Sequence, residues 1–140
     1  MAHLDAYLFF DGTCAAAMRF YETALGATLE MMQTFAETPG MQSESPESGA
    51  DRIMHARLDV DGRALLASDV RPNDKHQGMH GFALSLNYPD VARARQVFDA
   101  LAAGGTVTMP MGETFWATSF GMLTDKFGIP WMVNVDKPRP

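Results

Sequence analysis

Apolar and polar residues alternate along "RIMHARLDV", setting Met54, Ala56, Leu58 and Val60 on one face of a strand and Ile53, His55, Arg57 and Asp59 on the other. Asp61-Gly62 follows, a dipeptide that tolerates the positive φ angles of a tight hairpin, and "ALLAS" returns as the next strand. Upstream, "AYLFF" is a short apolar strand stopped by Asp11-Gly12. From Cys14 the period changes to that of a helix. Met18, Tyr21 and Leu25 share one face, Thr13 stands at the N-cap, and Gly26 ends the element. "ATLEMMQTF" predicts a further strand, and the polar, Pro-, Gly- and Ser-rich residues 36–52 predict a long loop.

The second half repeats this programme. "GFALSLNY" predicts a strand, Asp90 a helix cap, "VARARQVFDALAAGG" a helix, and three strands follow, two of them in "GETFWATSFGMLTDKFGIPWMVNV" with Thr124-Asp125-Lys126 at their turn. Phe20 and Phe98, Gly26 and Gly104, Thr28 and Thr106, and Met31 and Met109 are each separated by 78 positions. The chain therefore reads as α+β with an internal repeat. It forms one domain over residues 1–140: a first module at about 1–70, a polar linker at about 70–80 and a second module at about 81–137. One such half cannot cover both faces of its sheet, so the two are expected to share a curved sheet.

Composition narrows the function. A chain of 140 residues with 46% hydrophobic and 20% charged positions fits one globular domain, and a net charge of −6 disfavours nucleic acid as a partner. One cysteine, Cys14, excludes an internal disulfide, and the first residues lack the basic start and apolar run of a signal peptide. A cytoplasmic location is expected. No run is long and apolar enough for a membrane helix. Eleven methionines suit a plastic core or a permissive apolar pocket.

The stretch "FFDGTCAAAMRFYETALGA" resembles the first strand and helix of the vicinal oxygen chelate superfamily, the glyoxalase, bleomycin-resistance and extradiol-dioxygenase fold. "HARLDVDGRALLASD", the helix ending "FDALAAGG" and above all "ETFWATSFGMLTDKFGIPWMVNV" are similar to its PhnB-like branch. The resemblance spans nearly the whole chain. It implies two βαβββ modules forming a curved mixed sheet, with helices on the convex side and a concave cup. It also implies homodimers and, in metal-dependent members, His or Glu ligands on strands of both modules. Here those positions fall on Ala6, on or near His55, on Gly81 beside His80, and on Met132, so no catalytic metal and no cofactor are expected. Some members of the branch have carried a methyltransferase label. This chain has no strand followed by a G-x-G-type loop opening a helix, which a nucleotide-like methyl donor would use.

Strand alternation within that fold assigns the ligand-binding wall to His55, Arg57, Trp116, Thr118, Phe120, Met132 and Asn134, with Trp131 and Val133 packed outward. Arg57 suits a carboxylate or other multi-oxygen anion. His55 and Glu113 are the candidate catalytic groups, Asp69 is a further acid expected near the rim, and Cys14 at a helix start is read as a small buried apolar residue. The leading expectation is a cup protein that binds a small molecule, with its reaction unassigned. Two alternatives share the fold. One is a metal-dependent lyase, isomerase or dioxygenase using His55 with His80 or Glu113; the other is a drug- or metabolite-sequestering protein of the bleomycin-resistance type.

Overall fold

The computed structural model describes residues 2–38, 51–71 and 74–138. The element order is β1 (Ala6–Phe10), α1 (Cys14–Leu25), β2 (Thr28–Thr34), β3 (Ile53–Val60), β4 (Arg63–Asp69), β5 (Leu84–Asn87), α2 (Val91–Ala102), β6 (Thr106–Gly112), β7 (Ala117–Thr124) and β8 (Pro130–Asp136). Each half thus runs strand, helix, three strands. The chain divides into compact units Met1–Gln77 and Gly78–Pro140, with the break inside the expected linker. Most of the expected loop at 36–52, namely 39–50, lies outside the described residues.

The two units have the same topology. Strand order is β1-β4-β3-β2 in one sheet and β5-β8-β7-β6 in the other. In each, the edge strand β1 or β5 runs parallel to its neighbour and the remaining pairs are antiparallel. The repeat extends to irregularities. Register shifts fall between Leu29 and Met31 in β2 and between Val107 and Met109 in β6, at corresponding positions of the two halves. Gly26 and Gly104 both adopt the left-handed conformation after their helices, with φ of 64° and 76°.

In the first unit α1 buries Met18, Tyr21 and Leu25, and the sheet buries Leu8, Phe10, Ala56, Leu58, Leu65 and Ala67. The hairpin at Asp61-Gly62 forms with both φ angles positive, 50° and 87°. Thr13 occupies the N-cap position of α1, but its side chain makes no capping bond. Asp69 does that work from across the sheet. Its Oδ1 accepts from the Gly12 and Cys14 N–H groups at 2.9 and 3.0 Å, and its Oδ2 accepts from Ile53 N–H at 2.9 Å. The parallel pairing of Phe10 with Asp69 brings this carboxylate beside the turn from β1 into α1. Asp69 is therefore a structural carboxylate, 4% exposed, and not an acid at a rim.

In the second unit Asp90 caps α2, its Oδ2 accepting from Arg93 N–H at 3.0 Å. The helix ends at Ala102, three residues short of its expected end, because Gly104 turns left-handed. Gly121 permits close packing of α2 on β7: a Cβ there would sit 2.7 Å from the Phe98 ring and 2.8 Å from Met111 Sδ. β5 covers only half of "GFALSLNY": its pairing with β8 runs from Leu84 opposite Trp131 to Asn87 opposite Asn134, and Gly81, at φ 81°, lies outside the extended region. β7 begins at Ala117, not Glu113. Thr114 Oγ1 accepts from Ala117 N–H at 3.0 Å while Thr114 N–H donates to Ala117 O, a local turn that lifts residues 114–116 off the strand.

The turn between β7 and β8 is tied by Asp125, only 3% exposed. Its Oδ1 accepts from Phe127 and Ile129 N–H groups at 2.8 and 3.1 Å, and its Oδ2 accepts from Trp131 Nε1–H at 2.8 Å. Among the described residues, no helix is long and apolar enough to cross a membrane.

Candidate functional site

Each sheet has one face against its helix and one turned away. In the first unit the away face follows from register: Leu66 pairs with Arg57 on one side and with Tyr7 on the other, and Gln33 pairs with His55. His55 and Arg57 lie on this face, opposite to the buried Ala56 and Leu58. In β1 the alternation sends Leu8 and Phe10 to the core and Tyr7 and Phe9 to the away face, where they are 39% and 53% exposed. Ala6 shares parity with Leu8 and Phe10, so Tyr7, not Ala6, is the β1 residue beside His55.

Tyr7 Oη and His55 Nδ1 form a hydrogen bond of 3.0 Å, with ring centroids 5.8 Å apart. Phe9 extends the aromatic surface, its ring 5.0 Å from that of Tyr7. Arg57 donates from Nε to Glu30 Oε1 at 3.0 Å, so the Nε edge of its fork is already engaged. Both partners are about half exposed, and a pair of this kind contributes roughly 0–1 kcal/mol to stability. Cys14 is fully buried, and burial, with the Asp69 charge adding, pushes its thiol from the ordinary 9.0 up to about 12. It is held as a neutral thiol and is not an activated nucleophile.

In the second unit β7 and β8 pair Phe120 with Asn134 and Met122 with Met132, while β5 sets Asn87 beside Asn134 and Ser85 beside Met132. These residues form the away face, because Gly121 and its pair Val133 point to the α2 side. Trp131 and Val133 are buried as expected. Trp116 precedes the strand but returns to it, its ring edge-on to Phe120 at 5.3 Å. Phe115 stacks edge-on against Trp116 at 4.9 Å and is almost fully exposed. Thr118 Oγ1 donates to the Asp136 carbonyl at 3.2 Å.

Asn134 is 8% exposed, and its Nδ2 donates to Asn87 Oδ1 at 3.1 Å and to Asp136 Oδ1 at 2.8 Å. Its Oδ1 is buried and has no hydrogen-bond partner among the described residues. Glu113 and His80 are exposed and lie outside the strands, Glu113 between β6 and β7 and His80 before β5.

The positions at which the resemblance places metal donors hold Ala6, His55, Gly81 with His80 beside it, and Met132. They do not fit such an ion. Zinc and its relatives require about three His, Cys or carboxylate ligands around an open position; a thioether is a poor substitute. His55 has one nitrogen engaged by Tyr7. Among the described residues no group of three or more His, Cys, Asp or Glu could hold a metal ion. Tyr7 escaped the sequence reading because "AYLFF" shows no polar alternation; its hydroxyl is the one polar group in that run.

Residues 3–133 match the model of the Glyoxalase/Bleomycin resistance protein/Dioxygenase superfamily. Protein YjdN of Escherichia coli (strain K12) is 40% identical over 144 residues, covering 98% of this chain and 97% of that protein. The crystal structure of protein PA1353 from Pseudomonas aeruginosa is 46% identical with a TM-score of 0.89, covering 99% of this chain and all of that one. A PhnB protein from Bacillus cereus shares the fold at 21% identity, with a TM-score of 0.78 over 96% of this chain and 99% of that one. The chain belongs to the glyoxalase/bleomycin resistance/dioxygenase superfamily, with a PhnB protein among its structural relatives.

Proposed function

We propose that this protein is a homodimeric, cytoplasmic, small-molecule-binding member of its superfamily that works without the superfamily's metal. The observation that carries the reading is the Tyr7–His55 hydrogen bond. It engages His55, the one position of the implied ligand set that carries a usual donor on its strand, in a hydrogen bond flanked by the half-exposed Phe9 ring. The second unit supplies a matching kind of surface from Trp116, Phe120, Met122, Met132 and Asn134: rings and thioethers with few polar groups, as in small-molecule sites. Catalysis by the candidate acids finds no support in their surroundings. Asp69 is committed to three backbone N–H groups, and Glu113 is exposed outside the strands. Exposed Val107 and Met109 on the edge strand β6 support burial against a second copy.

Native mass spectrometry of the purified protein tests this reading. The expected spectrum is a dimer carrying a small organic adduct or accepting one from a metabolite extract, with the adduct weakened by His55→Ala. A monomer that takes up no small molecule in either form would overturn it.

A further inference from the structure

The unpartnered Asn134 Oδ1 specifies what the second unit's surface accepts. The orientation of this amide is fixed by its neighbours. Nδ2 lies 2.8 Å from the Asp136 carboxylate and 3.1 Å from Asn87 Oδ1, and exchanging N for O would set the amide oxygen against two acceptors, one of them a carboxylate oxygen. The amide nitrogen is thereby saturated with two acceptors, and the carbonyl end turns away from both. A buried carbonyl without a donor is an unfavourable state that a native fold rarely keeps without a use.

The surroundings define the missing donor. Asn134 pairs directly with Phe120 across β7 and β8, and Trp116 sits edge-on to Phe120. The charged group touching the amide is the carboxylate of Asp136, which repels anions and favours a cationic or neutral donor. We infer that the ligand of this surface is an aromatic or apolar molecule bearing a neutral or cationic hydrogen-bond donor, such as an amide or amine N–H, which hydrogen-bonds to Asn134 Oδ1 with its ring against the exposed Trp116 beside the buried Phe120. This rests on the small-molecule reading above. Oδ1 is shielded in the free protein, so the donor displaces the groups around it and replaces an unsatisfied acceptor with a satisfied one.

NMR titration with benzamide, benzylamine, benzoate and toluene at millimolar concentration separates the possibilities, followed through the methyl signals of Met122 and Met132 and the side-chain amide of Asn134. The expected result is binding of benzamide and benzylamine about tenfold tighter than of benzoate or toluene, with the preference abolished in Asn134→Leu. Phe120→Leu, which keeps the acceptor, should weaken all four probes and preserve the order. Equal binding of all four probes, unaffected by Asn134→Leu, would overturn the donor class while leaving a small-molecule surface in place. Absence of any binding would overturn both, leaving Oδ1 as the seat of an ordered water only.

Discussion

The Tyr7 hydroxyl lies 3.0 Å from Nδ1 of His55, joining the edge strand β1 to β3 across the intervening β4. Tyr7→Phe removes this partner and leaves the ring. Because the bond is exposed, stability should change by no more than about 1 kcal/mol in a urea titration. The His55 side-chain nitrogens should respond instead. Long-range proton–nitrogen spectra are expected to show a large shift at Nδ1 in the variant; unchanged nitrogen shifts would mean that the bond does not form in solution.

Asp69 and Thr13 make a contrasting pair at the start of α1. Asp69→Ala strands three N–H groups, those of Gly12, Cys14 and Ile53, and should cost about 3 kcal/mol or more. Thr13→Ala removes a side chain that makes no capping bond and should stay within about 0.5 kcal/mol. Denaturant midpoints of the two variants measure the difference, and equal losses would argue against a cap supplied from β4.

Cys14 gives the fold an alkaline limit. Its folded thiol titrates at about 12 against 9.0 for an ordinary thiol, so above that lower value the unfolded chain gives up a proton that the folded chain keeps. Stability from this residue is complete below 9.0 and is lost as pH rises toward 12, by about 1.4 kcal/mol per unit. Urea unfolding at neutral pH and at about pH 10 should show a drop that Cys14→Ala lacks. Native protein should also leave Cys14 unmodified by thiol reagents at neutral pH.

Two glycines of the second unit differ in what surrounds them. At Gly105 an added Cβ would lie 2.3 Å from the Thr124 carbonyl, a backbone atom that cannot step aside. At Gly121 it would meet the Phe98 ring and the flexible Met111 side chain. Gly105→Ala should therefore destabilise more than Gly121→Ala, which is expected to cost about 1–3 kcal/mol. Thermal unfolding of both variants tests the order.

Residues whose role depends on local pattern were legible in the sequence. The alternation of β3 placed His55 and Arg57 correctly opposite Ala56 and Leu58, and that of β7 and β8 placed Phe120, Met132 and Asn134 on one face. Residues whose role depends on distant partners were not. Asp69 binds residues up to 57 positions away, and nothing near it in sequence announces a cap. Tyr7 sits in an apolar run whose register only the sheet decides, and the short β5 follows from where its pairing with β8 begins and ends.

Metal content tests the central claim most directly. Elemental analysis of the protein, purified without chelators and then dialysed, should find far less than one zinc, iron, nickel or manganese per chain, in wild type and His55→Ala alike. One retained metal ion per chain in the wild type, lost in His55→Ala, would contradict the account and restore a metal-dependent chemistry.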